Sequence, residues 1–146
     1  MSGILVGMDG SGHSTLALDW AAREAAIRKV PLTVLTVYQI MISYSGYAVG
    51  NVGDQDLAEK ARQAAQNQVD KVLAELDEAS RPASVTVRGV AGLPADELLS
   101  SAAGADMIVL GSRGAGGFRK LLLGSVASQV THHAHVPVVI IPAEKI

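Results

Sequence analysis

The segment DMIVLGSRGAGGFRKLLLGS, residues 106–125, joins an apolar run to a stretch that contains five glycines. Residues 107–110 show no polar alternation, which is typical of a strand covered on both faces of a parallel sheet. Glycines after such a strand have two interpretations. They serve only as turn formers, or they allow the backbone to approach a bound ligand without a Cβ.

Apolar runs and helical patterns alternate along the rest of the chain. The pattern predicts strands at residues 4–8, 32–38, 84–90, 106–110 and 136–141, and helices that end near residues 27, 80, 103 and 133. Parallel neighbouring strands need crossover connections, which the helices supply. The sequence therefore predicts an α/β fold: an open five-stranded parallel sheet with helices on both faces, a Rossmann-like three-layer sandwich.

Two segments carry more specific expectations. Ser11 is the predicted N-cap of the first helix, because its hydroxyl can accept from the free amides of the first turn. Leu16, Trp20 and Ile27 lie within about 40° of one another on a helical wheel, with Ala17 and Ala21 alongside, and these residues predict its buried face. Residues 39–54 show no clear period, so we expect a long loop.

Composition limits the class of protein. The 146 residues carry a formal net charge of −2 and no cysteine, so there is no electrostatic case for a nucleic-acid partner and no thiolate metal site. No apolar run approaches the roughly 18 residues of a membrane span, and the first residues lack the pattern of a signal peptide. We therefore expect one cytoplasmic domain over residues 1–146, without a membrane partner.

The carboxyl ends of the strands form the predicted site. Ligands of open parallel sheets bind beyond these ends, where the strand order reverses. Asp9 follows the first strand, Val37 and Tyr38 end the second, and the glycine-rich residues 111–125 follow the fourth. Gly124 and Ser125 open a helix whose free amides favour an anion. Because residues 107–143 contain no acidic residue, this segment is expected to bind phosphate.

Other motifs receive little support. The glycines match neither the phosphate-binding loop of P-loop NTPases nor the fingerprint G-x-G-x-x-G, whose third glycine is replaced by Thr15 and by Arg119 in the two candidates. The hydrolase motif G-x-S-x-G is absent. His132, His133 and His135 do not predict a metal site, because adjacent residues cannot share one helical face.

The spacing G-x2-G-x9-G-S, formed by Gly111, Gly114, Gly124 and Ser125, resembles the ATP-binding signature of the universal stress protein family. The resemblance covers essentially the whole chain, including the segments ILVGMDGS (4–11), VAGLP (90–94) and LLGSVA (122–127). It implies a single universal stress protein domain with an adenine nucleotide alpha hydrolase-like fold.

The resemblance implies a bound adenine nucleotide, usually ATP with a divalent ion such as Mg²⁺ or Mn²⁺ on its phosphates. Asp9 would contact the ribose or adenine, the backbone of Val37 would hold the adenine edge, and the glycine signature would line the ribose and phosphates. The implied binding residues are Gly7, Asp9, Val37, Leu110, Gly111, Arg113, Gly114, Gly124, Ser125 and Val126.

The resemblance also implies a homodimer formed by the last strand. Residues 138–141 are apolar throughout, so as an exposed edge they would promote aggregation unless paired. The leading interpretation is a nucleotide-binding stress or regulatory protein with at most slow ATPase activity, because no activated nucleophile or general base stands at the predicted phosphate site. An ATPase or nucleotidyl transferase on the same fold, and an interaction module without nucleotide, are the alternatives.

Overall fold

The computed structural model describes residues 2–9, 12–39, 41–42, 48–49, 54–113 and 123–142, and its strands and helices lie between Ile4 and Ile141. The elements are β1 (Ile4–Met8), α1 (Gly12–Arg28), β2 (Leu32–Gln39), β3 (Met41–Ile42), β4 (Ala48–Val49), α2 (Asp54–Glu75), a 3-10 turn (Glu78–Ser80), β5 (Val85–Gly92), α3 (Pro94–Ser101), β6 (Met107–Gly111), α4 (Ser125–His133) and β7 (Val138–Ile141).

Five strands form one parallel sheet in the order β5-β2-β1-β6-β7. From β1 the chain builds towards one edge through β2 and β5, and then returns to the other side of β1 for β6 and β7. The strand order therefore reverses between β1 and β6. The structure confirms the predicted five-stranded parallel α/β fold.

Helices cover both faces of this sheet. On one face, α1 and α2 pack over a core that includes Val6, Val34 and Val109. On the other face, the core includes Leu5 and Ile108 together with residues of α3 and α4. Alternate residues of the central strands thus enter different cores, and this explains why the sequence of these strands shows no polar alternation.

Several element boundaries differ from the prediction. The second helix ends at Glu75 and a separate 3-10 turn follows, so the expected helix to residue 80 is wrong at its end. Asp106 precedes β6 and is tied to Gly3, because its carboxylate accepts from the Gly3 amide at 2.9 Å and its amide donates to the Gly3 carbonyl at 2.8 Å. Ser11, the predicted N-cap, lies outside the described residues.

The expected long loop contains regular structure in the part that is described. Met41 pairs with Val49 and Ile42 with Ala48, so β3 and β4 form a two-stranded antiparallel ribbon. The prediction of a segment without strands is therefore wrong at these positions. Two-residue strands are too short to show a periodic pattern in the sequence, and only their pairing defines them.

The buried face of α1 agrees with the predicted one only in part. Leu16 and Ile27 are 40% and 74% exposed, whereas Trp20 is partly buried at the edge of the core. The fully buried residues of the helix are Leu18 and four alanines, Ala17, Ala21, Ala22 and Ala25, so the prediction is correct for Ala17 and Ala21. The assignment of Leu16 and Ile27 to the buried face is wrong, because α1 packs directly on the sheet and alanines allow the two backbones a closer approach than large side chains do.

This assignment of the α1 faces predicts opposite responses to substitution. Ile27→Lys places a charge on the exposed face and should change the free energy of unfolding by no more than about 0.5 kcal/mol. Ala21→Leu overfills the contact with the sheet and should lower it by about 1–3 kcal/mol. Urea denaturation of both variants measures the difference, and equal losses would contradict the assignment.

Candidate functional site

A cavity of about 670 Å³ opens at the carboxyl ends of β1, β2 and β6, where the strand order reverses. Nine of the residues that the sequence analysis implies for binding line it: Gly7, Asp9, Val37, Leu110, Gly111, Arg113, Gly124, Ser125 and Val126. Gly114, the tenth, lies outside the described residues. The topology therefore brings together residues that are more than 100 positions apart in the sequence, in a volume typical of small-molecule sites.

Sequence reasoning did not assign several other lining residues. Thr36 and Gln39 extend the wall that β2 forms beside Val37 and the expected Tyr38. Ala61 comes from α2, and Pro94 and Leu98 come from α3. Their position at the end of a strand was a usable signal for the β2 residues. Ala61 and Leu98 lie in amphipathic helices with no local feature that distinguishes them, so only the packing of the helices reveals them.

One end of the cavity is suited to an anion. The amide of Ser128 donates to the Gly124 carbonyl at 2.9 Å, which is the first bond of the α4 ladder. The amides of the three preceding residues, Ser125 to Ala127, have no acceptor within the helix, and α4 has no side-chain cap or acidic residue in its first turn. Arg113 lines the same cavity. Amide dipoles and a guanidinium here attract negative charge.

Backbone hydrogen bonds hold both described ends of the glycine segment. The Ser112 amide donates to the Ile141 carbonyl at 2.9 Å, and the Gly124 amide donates to the Ser112 carbonyl at 2.6 Å. Ser112 is buried. Residues 113 and 124 are therefore brought to the cavity by a direct link between the end of β6 and the start of α4, with β7 as the support.

The absence of a side chain at Gly7 leaves room for two leucines of the cavity wall. A Cβ at this position would lie 2.8 Å from Cδ2 of Leu110 and 3.0 Å from Cδ2 of Leu98, and both leucines line the cavity. Any larger residue would displace these side-chain ends. The resemblance implies that Gly7 lines the pocket. The structure explains why a glycine is needed there, since a side chain would collide with Leu98 and Leu110.

In the described part of the chain, no group of three or more histidine, cysteine, aspartate or glutamate side chains could hold a metal ion. The rings of His132 and His133 contact each other edge to face, with their centroids 5.0 Å apart. Among the described helices, none combines the length and apolar character that a membrane crossing requires.

Comparison with known proteins gives consistent matches. The model of the universal stress protein family matches residues 1–142. Universal stress protein Rv1996 of Mycobacterium tuberculosis is 36% identical over 154 residues, covering 97% of this chain and 48% of that protein. The chain thus spans about half the length of the curated relatives it matches.

Solved structures extend the comparison. The universal stress protein UspA from Lactobacillus plantarum superposes with a TM-score of 0.72 at 25% identity, covering 96% of this chain and 97% of that one. A universal stress protein from Archaeoglobus fulgidus, solved in complex with dAMP, has a TM-score of 0.61 at 25% identity, covering 97% and 98% of the two chains.

The link between Ser112 and Gly124 can be tested with a matched pair of variants. Gly124 has φ −70°, which proline also adopts, so Gly124→Pro removes the amide donor while Gly124→Ala keeps it. We expect Gly124→Pro to be less stable than Gly124→Ala by more than about 1 kcal/mol, because the Ser112 carbonyl loses its donor and the proline ring occupies the place of the amide hydrogen. Urea denaturation without ligand measures this, and equal stabilities would show that the bond contributes nothing.

Proposed function

Because the chain belongs to the universal stress protein family, we propose that its cavity binds an adenine nucleotide, with ATP as the ligand, and that the protein acts as a nucleotide-dependent stress regulator in the cytoplasm. One observation carries the proposal. The cavity at the strand reversal has an anion-suited end at α4 and Arg113 and an apolar wall that includes Leu35 and Leu98. A nucleotide has the same division between phosphates and base.

The phosphates are assigned to the α4 end. There the first-turn amides, the Ser125 hydroxyl and the Arg113 guanidinium are donors, and charge-assisted bonds of this kind are the stronger ones. The glycine signature, with Gly111 at the end of β6 and Gly114 beyond it, would allow the ribose and phosphates to approach the backbone. Mg²⁺ or Mn²⁺ would be held mainly through the phosphates, as is usual for Mg²⁺ with nucleotides.

The base is assigned to the β2 end. The backbone of Val37 would pair with the adenine edge, and Asp9 at the end of β1 would contact the ribose or adenine. Asp9 and Arg113 are the charged side chains among the described lining residues, so the cavity has few groups suited to a general base at the phosphates. Binding with at most slow hydrolysis is therefore the proposed activity.

The proposed ligand predicts a difference between ATP and adenosine. Arg113→Ala should weaken ATP binding by about tenfold, the effect of losing one charge-assisted bond, and should leave adenosine binding unchanged. Isothermal titration calorimetry measures both affinities. The control is Arg88→Ala, an exposed arginine on β5, which should bind both ligands like the wild type.

Two outcomes would contradict the proposal. If the wild type binds neither ATP nor adenosine, and gently purified protein releases no adenine nucleotide on denaturation, the cavity is not a nucleotide site. If Arg113→Ala weakens ATP and adenosine equally, the phosphates do not lie beside Arg113.

We also propose a homodimer through β7. This strand is at the sheet edge, and its four residues are half-buried. The carbonyls of Pro137 and Ile141 accept from the Ile108 and Ser112 amides of the β6 side. Successive residues of a strand direct their backbone amide and carbonyl groups to opposite sides. The amide and carbonyl groups of Val138 and Ile140 therefore point to the outer edge. An antiparallel copy of the same strand would pair with them.

The dimer is tested by removing one outward donor. Ile140→Pro removes the outward amide and keeps the ladder to β6, since proline is tolerated on the free side of an edge strand. Ile140→Ala keeps the amide and controls for the lost side chain. We expect Ile140→Pro to be monomeric and Ile140→Ala to be dimeric by analytical ultracentrifugation. A dimer in both variants, or a monomeric wild type, would contradict pairing through β7.

A further inference from the structure

Helix α2 lies unusually close to β5 at Gly89. A Cβ at this position would lie 2.5 Å from the Ala58 carbonyl oxygen, 2.7 Å from Cβ of Arg62 and 3.1 Å from the Arg62 amide nitrogen. Two of these three atoms belong to the helix backbone. Unlike the flexible leucine ends beside Gly7, they cannot move without a shift of the helix turn itself.

The side chain of Arg62 does not fill this contact. Its guanidinium is held by Glu59, with Nη2 2.8 Å and Nε 2.9 Å from Oε1, and this hydrogen bond lowers the pKa of Glu59. The part of Arg62 that faces Gly89 is therefore its backbone and Cβ. The spacing between α2 and β5 at this level is determined by the absence of a side chain at residue 89.

This close contact is at the level of the cavity. Gly89 is paired with Thr36 in the β2 register, one residue before Val37, and both Thr36 and Val37 line the cavity. Ala61 lies in the same α2 turn as Ala58 and also lines the cavity. The α2 turn that rests on Gly89 therefore forms one wall of the site.

The wall lies on the side of the cavity away from the anion-suited end. In the sheet order, β2 is separated from β6 by β1, and two strand spacings amount to about 10 Å. Helix α4 follows β6 in the chain, whereas Ala61 belongs to α2, which packs against β2. A nucleotide with its phosphates at α4 would direct its base towards α2.

We propose that Gly89 is a positioning residue that places Ala61 against the base of the bound nucleotide, so that the site favours a purine over a pyrimidine. This inference rests on the proposed nucleotide binding. A purine is one fused ring longer than a pyrimidine and reaches the α2 wall, whereas a pyrimidine stops short of it. The position of the helix therefore decides how much of the larger base is packed.

The test compares ATP with CTP by isothermal titration calorimetry. The wild type should prefer ATP. Gly89→Ala should weaken ATP binding by about tenfold, because the displaced wall no longer packs against the purine, and should leave CTP binding unchanged. Val87→Ala is the matched control: Val87 is on the same strand, two residues away, and packs into the core on the same side of the sheet. It should lower stability and preserve the ratio of the two affinities.

A second variant approaches the wall from the helix. Ala61→Leu leaves the Gly89 contact intact and fills the space in front of the wall, so it should weaken ATP and spare CTP even if Gly89→Ala fails to fold. An unchanged ratio in Ala61→Leu, an unchanged ratio in folded Gly89→Ala, or a wild type without preference for ATP would overturn the inference. A wild type that binds neither nucleotide overturns the proposed function, and the inference with it.

Discussion

Strand β1 hydrogen-bonds to β2 on one side and to β6 on the other, and the connections that leave the two neighbours run towards opposite edges of the sheet. A crevice therefore opens above β1 at its carboxyl end. The cavity, the placement of Asp9 and Arg113 in its lining, and the approach of the α4 amides all depend on this pairing. The register of the three strands is specified by burial, since Val6 lies between Val34 and Val109 and all three side chains are buried.

Small residues maintain this arrangement by allowing close approach. Alanines bring α1 onto the sheet, Gly89 brings α2 onto β5, and Gly7 leaves space for Leu98 and Leu110. In each case the absence of a larger side chain lets a neighbouring helix or side chain pack more closely. Shape in this protein is therefore determined at positions where a side chain is reduced or absent, in addition to the positions where large side chains fill the core.

The strands and the fold class were predictable because buried parallel strands have a continuous apolar signal and helical crossovers have a regular one. The complete buried face of α1 was not predictable, since Leu16 and Ile27 are as apolar as the buried residues. A helical wheel contains no information on how closely the helix must approach the sheet. Likewise Ala61 has no distinguishing local pattern, and it reaches the cavity only through the packing of α2 against the sheet and α1.

The sequence by itself determined the order of the five sheet strands and four helices, the spacing of Gly111, Gly114, Gly124 and Ser125, and the family to which the chain belongs. These properties depend on residues that are close together in the sequence, so the periodicity of apolar residues and the spacing of the glycines indicate them directly. Only the tertiary structure decided which face of α1 is buried, that α2 and α3 contribute walls to the cavity, and that Ser112 links β6, α4 and β7. The physical reason is that these features depend on distances between elements remote in sequence, and those distances are set by packing.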